Sequence, residues 1–301
     1  MAKILITGGT GLIGNALCKK LLENGHEVSV LTRTLIKSST IKYFLWDVDK
    51  SIVDEKAFDG IEHIVHLAGC GIADKKWTPE RMKEILDSRV NASELILSVL
   101  KKRNIKLKSF VGASAVGIYS ARTSQRIYTE NDLGLDDFLS DTCIAWENSY
   151  YDLEDFSERY AIARISVVLA KEGGALKKLL PIFKLGLGSG IGTGKQYMPW
   201  IHIDDLISIF YEMLFNSAYN GIYNAAATEH VTNYSFSKQL AQSLKRPFFM
   251  PLVPSSILKW MYGDMADVIL EGSRVSNERL LKQGFVLKYP DLKTALNQIC
   301  R

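Results

Sequence analysis

Apolar residues alternate between two spacings along the first half of the chain. Six short apolar runs predict buried β-strands, and two stretches with apolar residues at helical spacing predict helices. Strands that alternate with helices predict an α/β fold, specifically a Rossmann-type doubly wound parallel sheet. The predicted strands are Lys3–Thr7, Glu27–Thr32, Tyr43–Trp46, His63–Ala68, Ser109–Gly112 and Ile162–Val168, and the predicted helices are Leu12–Asn24 and Pro79–Arg103.

The pattern changes after Leu169, where glycine-rich stretches appear at 173–174 and 186–194. We expect residues 1–170 to form the sheet domain, with 200–225 returning to it. Residues 171–199 and 226–301 would then form a smaller C-terminal substrate lobe. The 186–194 stretch has no clear strand before it and no helix that opens inside it, so it is interpreted as a mobile loop on the substrate side.

Composition and charge exclude several classes of protein. The 301 residues are 47% hydrophobic and carry a net charge of only +4, with no basic stripe suited to nucleic acid. No apolar run is long enough to cross a membrane. The four cysteines are scattered, which argues against a metal site and against a disulfide framework. We therefore expect a cytoplasmic protein without a metal.

A glycine loop follows the first predicted strand. Glycines stand at 8, 11 and 14, between that strand and the first helix. This spacing permits a tight turn, a close backbone approach to a pyrophosphate, and close packing of helix on strand. The loop predicts a dinucleotide site built from Gly8, Thr10, Gly11, Leu12, Ile13 and Gly14.

The end of the second strand indicates which dinucleotide is bound. NAD-binding folds usually place an acidic residue here, which accepts a hydrogen bond from the ribose 2′-hydroxyl. This chain has Thr32 and Arg33 instead. A guanidinium pairs with a 2′-phosphate, so the sequence favours NADP(H).

With these residues identified, the chain resembles an extended or atypical short-chain dehydrogenase/reductase. More narrowly, it is similar to an epimerase-like family of unknown substrate that has a small C-terminal domain of unknown function. The resemblance covers nearly the whole chain. The segments that carry it are Ile4–Gly14, Val65–Gly69, Ile72–Thr78, Ser88–Arg89, Ala113–Tyr119, Ala145–Glu147, Leu179–Gly188, Pro199–Asp205 and Leu270–Gly272.

The resemblance implies further cofactor contacts. Leu67 and Ala68 would line the adenine and ribose, and Glu84 and Arg89 occupy positions where such proteins touch the nucleotide. Val168 would lie near the nicotinamide.

The catalytic residues of such enzymes are only partly present. Active members typically use Ser or Thr together with Tyr-x-x-x-Lys, in which the lysine lowers the tyrosine pKa. Ser114 matches the serine, but Cys143 and Glu147 stand where the tyrosine and lysine belong. Tyr119, Cys143 and His202 are the alternative proton donors, although His202 also suits a structural role. The Tyr-x-x-x-Lys strings at 234–238 and 289–293 lie too far along the chain and are interpreted as coincidence.

Two functions follow from this pattern. The first is an NADP(H)-dependent oxidoreductase or epimerase-like enzyme with altered acid–base residues, acting on a small polar molecule. The second is a regulatory or sensor protein that binds NADP(H) without turnover. In either case we expect a monomer or homodimer that binds neither nucleic acid nor membrane.

Overall fold

The computed structural model describes residues 1–119, 122–132, 134 and 136–300. Its strands are β1 Lys3–Thr7, β2 Glu27–Thr32, β3 Ile41–Asp47, β4 Ile52–Val53, β5 His63–His66, β6 Ser109–Ala115, β7 Ile127–Tyr128, β8 Tyr160–Ile165, β9 Val167–Leu169, β10 Trp200–His202, β11 Gly221–Ala225 and β12 Arg274–Val275. Its α-helices are α1 Leu12–Glu23, α2 Pro79–Arg103, α3 Phe138–Asn148, α4 Tyr151–Glu154, α5 Gly174–Lys184, α6 Ile203–Phe215, α7 Asn233–Ser243, α8 Ser255–Tyr262, α9 Asp267–Leu270, α10 Glu278–Lys282 and α11 Leu292–Ile299.

Within the described residues, one large sheet has the strand order β11-β8-β6-β5-β1-β2-β3-β4. Every neighbouring pair in it is parallel except β3 with β4. This confirms the predicted doubly wound α/β fold. The strand order reverses between β1 and β5, so a crevice opens there at the carboxyl ends of the strands, where open α/β sheets bind ligands.

The sixth predicted strand, Ile162–Val168, is in fact two strands. At Ser166 the chain leaves the large sheet, where the Ser166 hydroxyl donates to the carbonyl of Ala225 at 2.8 Å. The following strand β9 pairs with β10 instead, with Val168 opposite Ile201. β8 is largely buried and β9 half-buried, and their apolar residues read as one nearly continuous run that hides the break.

Two of the apolar clusters among the described residues underlie these elements. The larger one lies between the large sheet and its helices and includes Ile6, Val30 and Phe110. The smaller one includes Trp200, Phe236 and Leu292 and joins β10 to helices α7 and α11.

The glycine-rich segment 186–194 has fixed partners. The Ile191 amide donates to the Asn233 side chain at 2.9 Å, and the Gly192 amide donates to the Val253 carbonyl at 2.9 Å. The Val253 amide returns a bond to the Gly190 carbonyl. These bonds tie the segment that the sequence suggested was mobile to the residues around α7 and α8.

Candidate cofactor and substrate site

Two glycines of the first loop are required by the protein itself. Gly8 has φ +69°, and a Cβ atom there would lie 2.8 Å from the Leu67 carbonyl oxygen. A Cβ atom at Gly14 would lie 2.3 Å from the Gly8 carbonyl oxygen. Both distances are shorter than any real contact, so these glycines set the turn and bring α1 against β1.

Gly11 differs from these two, because little of the protein surrounds it. A Cβ atom there would meet only the Gly8 carbonyl oxygen, at 3.3 Å. Gly11 begins α1 without a side-chain cap, and the first turn contains no acidic residue. The first amides of α1 are therefore free to bind an anion, which the helix dipole favours. Thr10, Leu12 and Ile13 flank this cradle, whose geometry fits a pyrophosphate.

Sequence reasoning missed the glycine between these positions. A Cβ atom at Gly9 would lie 2.7 Å from a methyl group of Val30 on β2. The reason for this glycine is a contact with the neighbouring strand, which a loop motif by itself does not reveal.

A buried polar cluster fixes the wall of the crevice where β5 ends. The Thr7 hydroxyl accepts from the amides of Leu67 and Ala68 at 3.1 and 3.2 Å. It also bonds to Nδ1 of His66 at 2.7 Å. These bonds end β5 at His66, two residues before the predicted end, and hold half-buried Leu67 and Ala68 along the crevice. Sequence reasoning did not single out Thr7 or His66. Each is a polar residue at the end of an apolar strand, and that position could have revealed them.

The residues at the end of β2 suit a phosphate. Thr32 is largely buried, and its hydroxyl donates to the Thr34 carbonyl at 3.1 Å. Arg33 is exposed and has no hydrogen bond or ion pair with any described residue. Arg81 already donates to the Glu84 carboxylate at 2.6 Å. That bond is the main cause of the lowered Glu84 pKa, and the charge of Arg33 lowers it by less. The Arg33 guanidinium is therefore available to an anionic ligand.

The last two predicted cofactor contacts lie on different elements, Arg89 on α2 and Val168 on β9. Arg89 donates to the Ile85 carbonyl at 2.7 Å and to the Cys70 carbonyl at 3.1 Å. Its guanidinium lies 4.8 Å from the centre of the Trp146 ring. Val168 is half-buried in β9.

A buried ion pair occupies the position of the expected catalytic lysine. Arg164 on β8 donates from Nε and Nη2 to the two carboxylate oxygens of Glu147 on α3, both at 2.8 Å. The Ser114 hydroxyl donates to the same carboxylate at 2.6 Å. All three residues are at most 6% exposed. Glu147 thus balances Arg164, a residue that sequence reasoning missed although an arginine inside a buried strand was the visible signal.

Tyr119 belongs to the same network. Its hydroxyl accepts from Arg164 Nη1 at 2.9 Å and donates to the Asn224 side-chain oxygen at 2.7 Å. The side-chain Nδ2 of Asn224 donates in turn to the Ser276 carbonyl at 3.0 Å, and this bond fixes the orientation of the Asn224 side chain. Burial raises the pKa of Tyr119 to about 12. The tyrosine proton is therefore held by Asn224 and is not acidic near neutral pH.

Cys143 lies beside this network on α3 and is buried. Burial raises the pKa of its thiol to about 12, with a smaller contribution from the Glu147 charge. Because the thiolate is the reactive form, Cys143 is held in its unreactive state. The protons of Ser114 and Tyr119 are donated to protein acceptors, and that of Cys143 is weakly acidic.

His202, the remaining proton-donor candidate, caps a helix. Its Nδ1 accepts from the Asp204 amide at 3.1 Å at the start of α6, and its Nε2 lies 3.0 Å from the Gln298 side-chain oxygen. Both ring nitrogens thus have protein partners, as the structural interpretation of this residue requires. The strings at 234–238 and 289–293 lie at the starts of α7 and α11.

The described residues offer neither a metal centre nor a membrane-spanning helix. No group of three or more His, Cys, Asp or Glu side chains is placed to hold a metal ion. None of the described helices combines the length and apolar character needed to span a bilayer.

Comparison with known proteins decides the family. Residues 4–226 match the model of the NAD dependent epimerase/dehydratase family, and residues 253–299 match a domain of unknown function, DUF1731. The chain belongs to the NAD dependent epimerase/dehydratase family. This confirms the resemblance noted from the sequence, including its small C-terminal domain.

Several family members resemble the whole chain. An Arabidopsis thaliana protein, the chloroplastic epimerase family protein SDR39U1 homolog, is 34% identical over 98% of this chain and 86% of its own length. The epimerase family protein YfhF of Bacillus subtilis is 32% identical over 98% of this chain and 97% of its own. The crystal structure of human epimerase family protein SDR39U1 (isoform 2) with NADPH superposes with a TM-score of 0.88 at 32% identity, covering 99% of both chains.

Proposed function

We propose that this protein binds NADP(H) and is an oxidoreductase or epimerase-like enzyme that acts on a small polar substrate. Exposed Arg33, which has no protein partner at the end of β2, carries the choice of cofactor. The uncapped start of α1 provides a cradle for the pyrophosphate. The solved human relative, 32% identical over nearly its whole length, was crystallised with NADPH and supports the same choice.

The cofactor contacts extend along the sheet edge. The loop from Gly8 to Gly14 would hold the pyrophosphate, while Thr32 and Arg33 would hold the 2′-phosphate. Leu67 and Ala68 would line the adenosine, and Glu84, Arg89 and Val168 complete the proposed contacts. When bound, the cofactor supplies hydride transfer at its nicotinamide ring.

The proton-transfer side of the proposed site departs from the family pattern. Ser114, Tyr119 and Cys143 remain the candidate catalytic residues. Because the Ser114 proton is donated to Glu147, that hydroxyl has only lone pairs left for a substrate. Glu147 replaces the lysine of the Tyr–Lys pair; its carboxylate is bound to Arg164, and its charge adds to the effect of burial in raising the pKa of the Cys143 thiol. We therefore expect turnover to be slow, or to need a substrate that supplies its own acid.

The same observation favours a second candidate function. A site whose serine, tyrosine and glutamate side chains are paired with other groups of the protein is well suited to binding without chemistry. An NADP(H)-binding regulatory or sensor protein, in which the cofactor stabilises a surface for a partner, fits this arrangement.

One set of measurements distinguishes the two. Titration gives the affinities for NADPH and NADH, and absorbance follows NADPH consumption with a panel of carbonyl compounds. Consumption above that of the Gly11→Val control supports the enzyme, whereas tight NADPH binding with no consumption across the panel supports the sensor. Absence of NADPH binding to the folded protein would contradict both.

A further inference from the structure

The C-terminal part of the chain exposes large apolar side chains on neighbouring segments. Leu185 directly after α5 is 76% exposed, Phe249 is 71% exposed and Trp260 on α8 is 82% exposed. The Gly190 carbonyl accepts from the Val253 amide at 3.0 Å, which holds the segment after α5 beside the residues that lead into α8. Segments 184–187 and 245–252 and helix α8 form one surface, the lobe face. Monomeric proteins rarely leave such clustered apolar surface in water.

Helix α8 is apolar on its outer side as well as on its inner side. Leu258 faces the protein and is buried. Ile257, Trp260 and Met261 are all exposed, and their spacing of i, i+3 and i+4 places them on one side of the helix. In an ordinary surface helix that outer side would be polar. The exposed stripe is therefore suited to an apolar environment outside the protein.

The lobe face is also cationic. Residues 173–203 and 230–263 together contain eight lysine or arginine residues and no Asp or Glu, although the whole chain has a net charge of only +4. Lys259 on α8 pairs with Asp267 at 3.4 Å. Lys184, Lys245 and Arg246 are exposed, and their side chains have no ion pair or hydrogen bond with any described residue. These three unpaired cations directly adjoin the exposed apolar segments in the sequence.

We propose that the lobe face binds the surface of an anionic lipid bilayer. Helices that lie in a membrane surface combine Trp, Phe and Leu with Lys and Arg, as this surface does. Anionic headgroups attract the cations, and the apolar side chains enter the headgroup region. This peripheral contact differs from the sequence expectation of no membrane, which considered only apolar runs long enough to cross a bilayer.

Two other occupants fit the lobe face less well. A second copy of the chain, joined face to face about a two-fold axis, would bring the unpaired cations of both copies together. The cores of protein interfaces are depleted in lysine, whereas lysines lie among the apolar residues here. An anionic bilayer accommodates the charge and the apolar side chains at once.

Trp260 provides a direct probe of the contact, since the other four tryptophans of the chain are buried or half-buried. The full chain should sediment with vesicles of phosphatidylcholine and phosphatidylglycerol, and its tryptophan fluorescence should shift to the blue. Vesicles of phosphatidylcholine alone should cause neither effect. In Trp260→Phe protein, sedimentation should persist while the blue shift disappears, which localises the contact to α8.

A matched pair of charge variants separates the lobe face from general electrostatics. Lys184→Glu with Arg246→Glu should weaken binding to the anionic vesicles at least about tenfold, since each cation near such a surface contributes about fivefold. Lys19→Glu with Lys37→Glu changes the net charge equally at exposed residues of the sheet domain. This second pair should have little effect.

The apolar contribution has its own control. Trp260→Ser should weaken vesicle binding about tenfold, because its side chain no longer enters the headgroup region. Val286→Ser changes an apolar residue outside the lobe face that is 84% exposed and should leave binding unchanged. Far-ultraviolet circular dichroism checks that each variant folds. Phe249→Ser gives the same test independently if Trp260→Ser does not fold.

Several results would overturn the proposal. They are equal binding of the wild type to anionic and neutral vesicles, binding to neither, a blue shift that persists in Trp260→Phe protein, and a control pair as damaging as the lobe-face pair. A wild type that binds no vesicles but forms dimers that Trp260→Ser disrupts would assign the face to a second copy. No step requires NADPH, so the outcome is independent of the proposed function.

Discussion

At the scale of single residues, Arg33 decides the proposed cofactor preference. Its guanidinium is exposed and has no described partner, so a 2′-phosphate gains a charge-assisted contact without breaking an existing one. We expect NADPH to bind about tenfold to a hundredfold more tightly than NADH. Arg33→Asp should remove or reverse this preference, as measured by titration with both cofactors. Lys37→Asp, on the same exposed segment, is the charge control, and equal affinity of the wild type for both cofactors would refute the assignment.

Glu147 is the second residue whose charge has a measurable consequence. Glu147→Gln leaves Arg164 buried without its counter-charge, which typically costs about 3–5 kcal/mol in free energy of unfolding. Urea denaturation followed by circular dichroism measures this loss. Glu147→Leu combined with Arg164→Met removes both charges and should be less destabilised than the sum of the two single changes. An additive result would show that the pair does not act as a unit.

The same pair explains why the family's usual residues cannot simply be restored. Glu147→Lys would place a second buried cation beside Arg164, and Cys143→Tyr would enlarge a side chain that is only 5% exposed. We expect the combined variant to lose its folded structure rather than gain carbonyl reduction, and its near-ultraviolet circular dichroism checks this. A folded variant that reduces ketones faster than the parent would contradict the assigned role of Glu147.

At the scale of elements, the β1–α1 turn separates glycines needed for folding from one kept free for a ligand. Gly11→Val should abolish binding of both NADPH and NADH while the protein still folds, because the added atoms meet only the Gly8 carbonyl oxygen and occupy the space where the pyrophosphate would lie. Gly14→Ala should instead destabilise the fold, since its Cβ atom would collide with Gly8. Thermal unfolding and NADPH titration of the two variants test this contrast. Retained NADPH affinity in folded Gly11→Val protein would show that the phosphates lie elsewhere.

At the scale of the whole molecule, the histidines make stability depend on pH. All five have lowered pKa values, and burial takes His63 to about 4 and His66 to about 3 from a value of 6.5. Below the unfolded value, protons bind the unfolded chain preferentially, so stability is lost as the pH falls. Between pH 7 and 5 the free energy of unfolding should decrease, by up to about 1.4 kcal/mol per pH unit for each fully buried histidine.

Urea denaturation at pH 7, 6 and 5 measures that slope. Most carboxylates contribute little in this window because their ordinary pKa values of 3.8 and 4.5 lie below it. Burial raises the pKa of Asp205, whose protonation in the folded protein acts in the opposite direction to the histidines. His66→Gln should reduce the slope, whereas the exposed His230→Gln should change it least. A free energy of unfolding that does not vary between pH 7 and 5 would argue against the buried neutral histidines.

The sequence by itself determined the features that depend on neighbours along the chain. Apolar periodicity predicted the strands and helices of the Rossmann-type sheet, and the spacing of Gly8, Gly11 and Gly14 predicted the turn. The sequence also showed that Arg33 stands where NAD-binding folds have an acidic residue, because this comparison needs only the position directly after β2. Side-chain period and backbone conformation are local properties, so a local pattern reveals them.

Only the tertiary structure decided which charges meet. Glu147 and Arg164 lie on different elements, so no spacing along the chain shows that one neutralises the other or that Ser114 donates to their pair. The break at Ser166 between β8 and β9 was hidden because the apolar residues of the two strands read as one nearly continuous run. Electrostatic pairing acts through space, and the fold alone sets those distances.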